Sequence, residues 1–180
     1  MTHFSFSRRY NGVADVFLRS PDTYRSLLNF LEVVMVGESA LSKIEREVLA
    51  ARVSAINGCN FCVQAHVATL AAMGTPQSQL TLLKESECTV FGSSPFQCLL
   101  SFAEKLTRTP DQIVQRDIDL LTQSGLSEQS VEDAINVVAL FNYVNRLVDA
   151  FGVTGNPRYF ENVGQALARD GYAKLLPKRD

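Results

Sequence analysis

The sequence predicts an all-α helical bundle. Apolar residues recur at three- and four-residue spacing along nearly the whole chain, helix-start and helix-stop residues punctuate them, and no segment alternates in the manner of a strand. At 180 residues and 46% apolar, residues 1–180 suffice for a single domain with a real core, residues 1–20 forming an N-terminal extension.

Pro21 opens the first expected helix, residues 22 to about 36, with Tyr24, Leu27, Leu28, Leu31 and Val34 or Met35 on one stripe. Ser42 and Glu45 form a capping box that starts a second helix, which runs to about residue 57 and stops at Gly58. A third spans roughly residues 59–73 and ends at Gly74; Thr75-Pro76 then reopens a short helix over residues 77–85. "CTVFGSSP" is the least helical stretch and reads as a loop. Residues 95–107 form the next amphipathic helix, and "TPDQIVQRDIDLLTQSG" reads as one more, ended by Gly125. Ser127 caps a long helix reaching about residue 151, and a last one covers residues 157–169.

Composition narrows the function. Net charge is −2 and the Lys and Arg residues are scattered, so no general attraction to nucleic acid or to an anionic membrane is expected. No apolar run reaches transmembrane length, and "MTHFSFSRRYNG" lacks the basic-then-apolar order of a secretory signal; the default expectation is a cytoplasmic chain. Four cysteines in a chain of this size do not make a disulfide scaffold. Cys88 and Cys98 stand apart and read as small buried hydrophobes.

The other two cysteines lie in "NGCNFCVQAH", where Cys59, Cys62 and His66 fall at i, i+3 and i+7 and share one helix face. Thiols at that spacing can close a disulfide with little backbone movement, and His66 stands one turn beyond Cys62, where it can take a thiol proton. An activated sulfur, a resolving sulfur and a base are what a thiol peroxidase or dithiol oxidoreductase needs. Metal binding stays open: the three side chains need a fourth ligand, from His3, Cys88, Cys98 or Glu47, unless the site is catalytic with an open position. Inert packing of buried residues is the third reading. On the second helix Ile44, Val48, Ala51 and Ala55 form a stripe with Glu47 at its edge, and a short Gly58 connection would fold the third helix back beside it.

"EREVLAARVSAINGCNFCVQAH" resembles the core motif of the alkylhydroperoxidase D and carboxymuconolactone decarboxylase superfamily, Glu-x(11)-Cys-x(2)-Cys-x(3)-His, filled here by Glu47, Cys59, Cys62 and His66 within residues 45–66. "LSKIEREVLAARVSA" is similar to the family's approach to the motif, and "VALFNYVNRLVDAFGV" to a late helix of its peroxidase-related branch. The resemblance implies an alkylhydroperoxidase D-like helical fold, assembly as homo-trimers or hexamers, and reduction of hydroperoxides without metal or organic cofactor. It implies Cys62 as the peroxidatic sulfur, Cys59 as the resolving one, and a proton relay of His66 and Glu47, with Glu47 acting through water or Cys59. An external dithiol, lipoyl-bearing in the best-known members, would restore the thiols. Some members carry a histidine between the cysteines; here Asn60 and Phe61 stand there, and Phe61 reads as a packing residue.

Two expectations pull apart at the sulfurs. A helix start favours thiolate at Cys59, whereas His66 favours it at Cys62; with the resemblance, Cys62 is the expected nucleophile. Lactone decarboxylation is the alternative within the superfamily, and a non-catalytic zinc-binding or redox-sensing module the alternative outside it. Asn142, Asn145, Arg146 and Asp149 share a face of the long helix and read as a polar or intersubunit face rather than as catalytic groups.

Overall fold

In the computed structural model, which describes residues 3–84 and 91–175, the described residues contain nine α-helices and no strand. They are α1 (Val13–Arg19), α2 (Pro21–Met35), α3 (Lys43–Ile56), α4 (Asn60–Ala72), α5 (Gln77–Lys84), α6 (Ser94–Arg108), α7 (Gln115–Gln123), α8 (Glu128–Phe151) and α9 (Pro157–Asp170), with short 3-10 turns at Ser5–Arg9, Pro110–Gln112 and Ala173–Leu175. The Ser42–Glu45 capping box forms as expected: Ser42 Oγ accepts from Glu45 N and Glu45 Oε2 accepts from Ser42 N at 2.8 Å.

The middle of the bundle is α3, and every residue from Arg46 to Ser54 is buried. Its alanines let α4, α6 and α8 approach on different sides. The two arginines on α3 are buried with partners. Arg46 donates to the carbonyls of Val34 and Gly37, both at 3.0 Å, and so fastens the turn from α2. Arg52 pairs with Glu104 of α6 at 2.5 Å. Along α4 lies α9, close enough that a Cβ on Gly164 would stand 2.5 Å from the Ala68 carbonyl carbon. That approach sets where the chain after α9 arrives.

Several expectations change. The N-terminal extension contributes α1, whose Val16 and Phe17 are buried in the common core. The segment after Thr109 is not one helix: the Pro110–Gln112 turn ends at extended Ile113 and Val114, and the Asp117 carboxylate accepts from Val114 N at 2.9 Å to start α7 afresh. Cys98 is exposed, not buried, because Phe96, Leu99, Leu100 and Ala103 take the inward face of α6 and leave position 98 on the opposite side. Cys88 and the start of the "CTVFGSSP" loop lie outside the described residues. No helix among the described residues is long and apolar enough to cross a membrane.

Candidate active site

Asn57, Gly58 and Cys59 make the turn between α3 and α4. The Cys59 N–H donates back to Ser54 O at 2.9 Å, so Cys59 is the N-cap of α4 rather than its first helical residue. From α8, Asn145, fully buried, donates to Ser54 Oγ and accepts from Asn57 Nδ2, each at 2.9 Å. Asn142 Oδ1 takes a second bond from Asn57 at 3.1 Å. The polar face of the long helix is therefore a clamp on the cysteine turn. Further along the same helix, Asp149 approaches the Cys59 thiol.

Across the α3–α4 pair, His66 Nδ1 lies 2.7 Å from Glu47 Oε2, and both side chains are almost fully buried. With Nδ1–H donating to the carboxylate, Nε2 is left as the acceptor nitrogen. The Glu47–His66 contact is direct. The other carboxylate oxygen accepts from the Tyr172 hydroxyl at 2.8 Å. Phe141 of α8 meets the imidazole edge-on, with centroids 4.5 Å apart, and fixes its plane.

Tyr172 was not legible in the sequence as a site residue. It follows α9 on a short strap held by Glu32 of α2, which accepts from Tyr172 N at 2.6 Å and Ala173 N at 3.0 Å. Gly171 makes the strap possible, with φ +75° and no side chain where a Cβ would meet Glu32 Oε2 at 2.5 Å.

Cys62 and His66 open onto a nearly apolar cavity of about 50 Å³, walled by Phe17, Phe61, Phe141, Tyr159, Leu167 and Tyr172 among others. Phe61 packs as expected, its ring 5.6 Å from Tyr159 and 5.3 Å from Phe160. A second cavity of about 90 Å³ reaches Glu47 and is more polar, with Lys43, Arg169 and Asp170 in its wall.

The Cys59 thiol is pushed well up by its hydrogen bond with the Cys62 sulfur, then by burial and the Cys62 charge, with Asp149 adding; the Cys62 N–H works the other way. Burial, and then neighbouring Glu47, raise Tyr172 far above the ordinary phenol range. Burial alone is the main cause that pushes Tyr159 up to about 12.

The structure thus brings Glu47, Cys59, Cys62 and His66 together and leaves His3 and Cys98 elsewhere, while Cys88 lies outside the described residues. His3 sits 3.1 Å from the Ala150 carbonyl, and Cys98 faces outward. Among the described residues no three His, Cys, Asp or Glu side chains are grouped to hold a metal ion.

Fold and site together define an all-α domain with a buried Glu–His pair beside a Cys-x-x-Cys couple. The profile of the carboxymuconolactone decarboxylase family matches residues 21–94. Over those residues the chain is similar to the alkylhydroperoxidase D-like and carboxymuconolactone decarboxylase superfamily. It is 27% identical over 116 residues to the Bacillus subtilis protein YdfG, covering 64% of this chain and 78% of that one. It is 33% identical over 63 residues to the alkyl hydroperoxide reductase AhpD of Azorhizobium caulinodans, a match that spans only 35% of either chain. The crystal structure of a peroxidase-related protein from Silicibacter sp. TM1040 superposes with a TM-score of 0.77 at 28% identity, over 82% of this chain and 78% of the other.

Proposed function

We propose that this protein is a thiol-dependent hydroperoxide reductase. The observation that carries the reading is the meeting of Cys62 and His66 on one apolar cavity, with Glu47 bonded behind the imidazole and Cys59 one turn from Cys62. His66 Nε2 takes the Cys62 thiol proton, and the thiolate attacks the terminal oxygen of R–O–O–H. The O–O bond breaks, R–O⁻ takes the proton back from His66, and Cys62 is left as the sulfenic acid. Cys59 then attacks Cys62, the S–O bond breaks, the hydroxyl leaves as water with the Cys59 proton, and the disulfide forms. An external dithiol, of lipoyl type, reduces the disulfide by two thiol exchanges and is itself oxidised.

No metal or organic cofactor enters these steps. The apolar lining of the cavity favours an organic hydroperoxide over a charged peroxide. Lactone decarboxylation makes no use of paired thiols. By analogy with the family the protein acts in the cytoplasm as a homo-oligomer, a trimer or hexamer, with a dithiol protein as its redox partner and no nucleic acid or membrane involved.

The test is consumption of an organic hydroperoxide driven by dihydrolipoamide. Cys62→Ser and His66→Ala should abolish or severely slow turnover, and Cys59→Ser should stop it after one oxidation. Full activity in Cys62→Ser would sink the assignment, and stoichiometric bound zinc with no thiol loss would favour a binding module instead.

A further inference from the structure

We infer that Tyr172 is a positioning residue of this site, its hydroxyl holding Glu47 as the carboxylate that orients His66. The kinetic consequence rests on the peroxidase reading; the geometry does not. Glu47 is gripped at both oxygens, His66 Nδ1 at 2.7 Å on Oε2 and the Tyr172 hydroxyl at 2.8 Å on Oε1. A carboxylate 1% exposed needs such partners, and removing one leaves buried charge uncompensated.

The strap that delivers the hydroxyl is built for the purpose. Two backbone N–H groups bond Glu32, and Gly171 gives way to that same carboxylate. Tyr172 also stands, with Leu167, in the common wall of the apolar cavity at Cys62 and the polar cavity at Glu47, and it is the polar member of that wall. It therefore keeps the carboxylate oxygen not taken by His66 bonded. Burial and Glu47 hold the phenol protonated, so it stays a donor.

The other ionisable groups around the pair are Glu32 from α2, Lys43 and Arg46 from α3, Cys59 and Cys62 at the start of α4, and Tyr159, Arg169 and Asp170 from α9. From α8 the contact on His66 is apolar Phe141. All of these remain when only the hydroxyl is changed. Without the hydroxyl the Glu47–His66 dyad binds a proton more tightly, because the carboxylate has lost a donor. Turnover needs that dyad free to accept a proton, so the acid limb of the pH–rate profile moves to higher pH.

The experiment measures kcat/KM for cumene hydroperoxide with dihydrolipoamide against pH for wild type, Tyr172→Phe, and protein carrying 3-fluorotyrosine at position 172. In parallel, 15N NMR titrates the imidazole of His66, one of only two histidines in the chain. Tyr172→Phe should shift the acid limb and the imidazole titration up by about one pH unit. Fluorotyrosine, a stronger donor, should shift both down, and it decides the matter if the Phe variant does not fold. Profiles that coincide with wild type, or a rate lowered equally at every pH, would overturn the inference. Wild type without turnover would sink the peroxidase reading instead; the imidazole titrations would then decide alone, opposite shifts supporting the role of Tyr172 and coincident curves ending it.

Discussion

Replacing Glu47 with glutamine keeps the size of the side chain and removes its charge. Glutamine offers one acceptor oxygen and one amide NH₂, where the carboxylate accepts from His66 at 2.7 Å and from Tyr172 at 2.8 Å. The amide oxygen can face Nδ1–H while the NH₂ donates to the tyrosine oxygen, so both bonds survive in neutral form. Exchanging a buried charged group for a well-bonded neutral isostere is close to neutral for folding, within about 1 kcal/mol. Chemistry should not survive as well, because an imidazolium formed at His66 no longer faces a carboxylate. General-base assistance is typically worth about a hundredfold to ten-thousandfold, and most of it should be lost. Stopped-flow mixing of reduced protein with hydroperoxide, read as thiol loss, gives the rate, and thermal unfolding gives the stability. A Glu47→Gln protein that oxidises within about threefold of wild type would refute the relay.

Three further outcomes follow from the same geometry. In Cys59→Ser, peroxide should leave a sulfenic acid that dimedone traps at Cys62; no adduct there, together with an adduct at Cys59 in Cys62→Ser, would reverse the order of the sulfurs. Asn145→Ala removes two 2.9 Å bonds from a fully buried position, which at roughly 1 kcal/mol each plus a small void should cost about 2–3 kcal/mol, read by denaturant titration. A loss below about 0.5 kcal/mol would mean the α8 clamp does not hold the cysteine turn. Glu104 is held below its ordinary 4.5 by Arg108 and then Arg52, with burial opposing. Its contribution is therefore complete above that value and lost as pH falls through the lower folded one, so Glu104→Gln should flatten the acid side of the stability curve.

Helix ends were legible wherever a side chain makes the cap itself. Ser42 with Glu45, and Ser127 ahead of α8, do in space what they promise in sequence. The break after Thr109 was not legible, since Thr-Pro-Asp opens a helix on paper just as well as it opens one 3-10 turn. What decides is Asp117, reaching back to Val114 N. Cys98 was legible by helical spacing alone, opposite the Phe96–Leu99–Ala103 stripe, and was obscured by the general tendency of cysteine to be buried. Glu47 showed as a polar residue at the edge of a small-residue stripe, and the antiparallel α3–α4 pair turned that edge into a contact with His66. Tyr172 gave no signal: it lies 125 positions beyond Glu47, and only the Gly164–Ala68 approach and the Glu32 latch bring it there.

The helix boundary alone does not order the sulfurs: as the N-cap of α4, with φ −79° and ψ 85°, Cys59 sits where a side chain can accept from the first-turn amides. Only the Cys62 N–H still favours the Cys59 anion, against burial, the Cys62 sulfur and the Asp149 carboxylate, and the sum runs upward. A thiol that keeps its proton beside a second sulfur donates to that sulfur and stabilises negative charge on it. That supports Cys62 as the attacking sulfur on the peroxidase reading. It also leaves Cys59 carrying the proton that the departing hydroxyl needs when the disulfide closes.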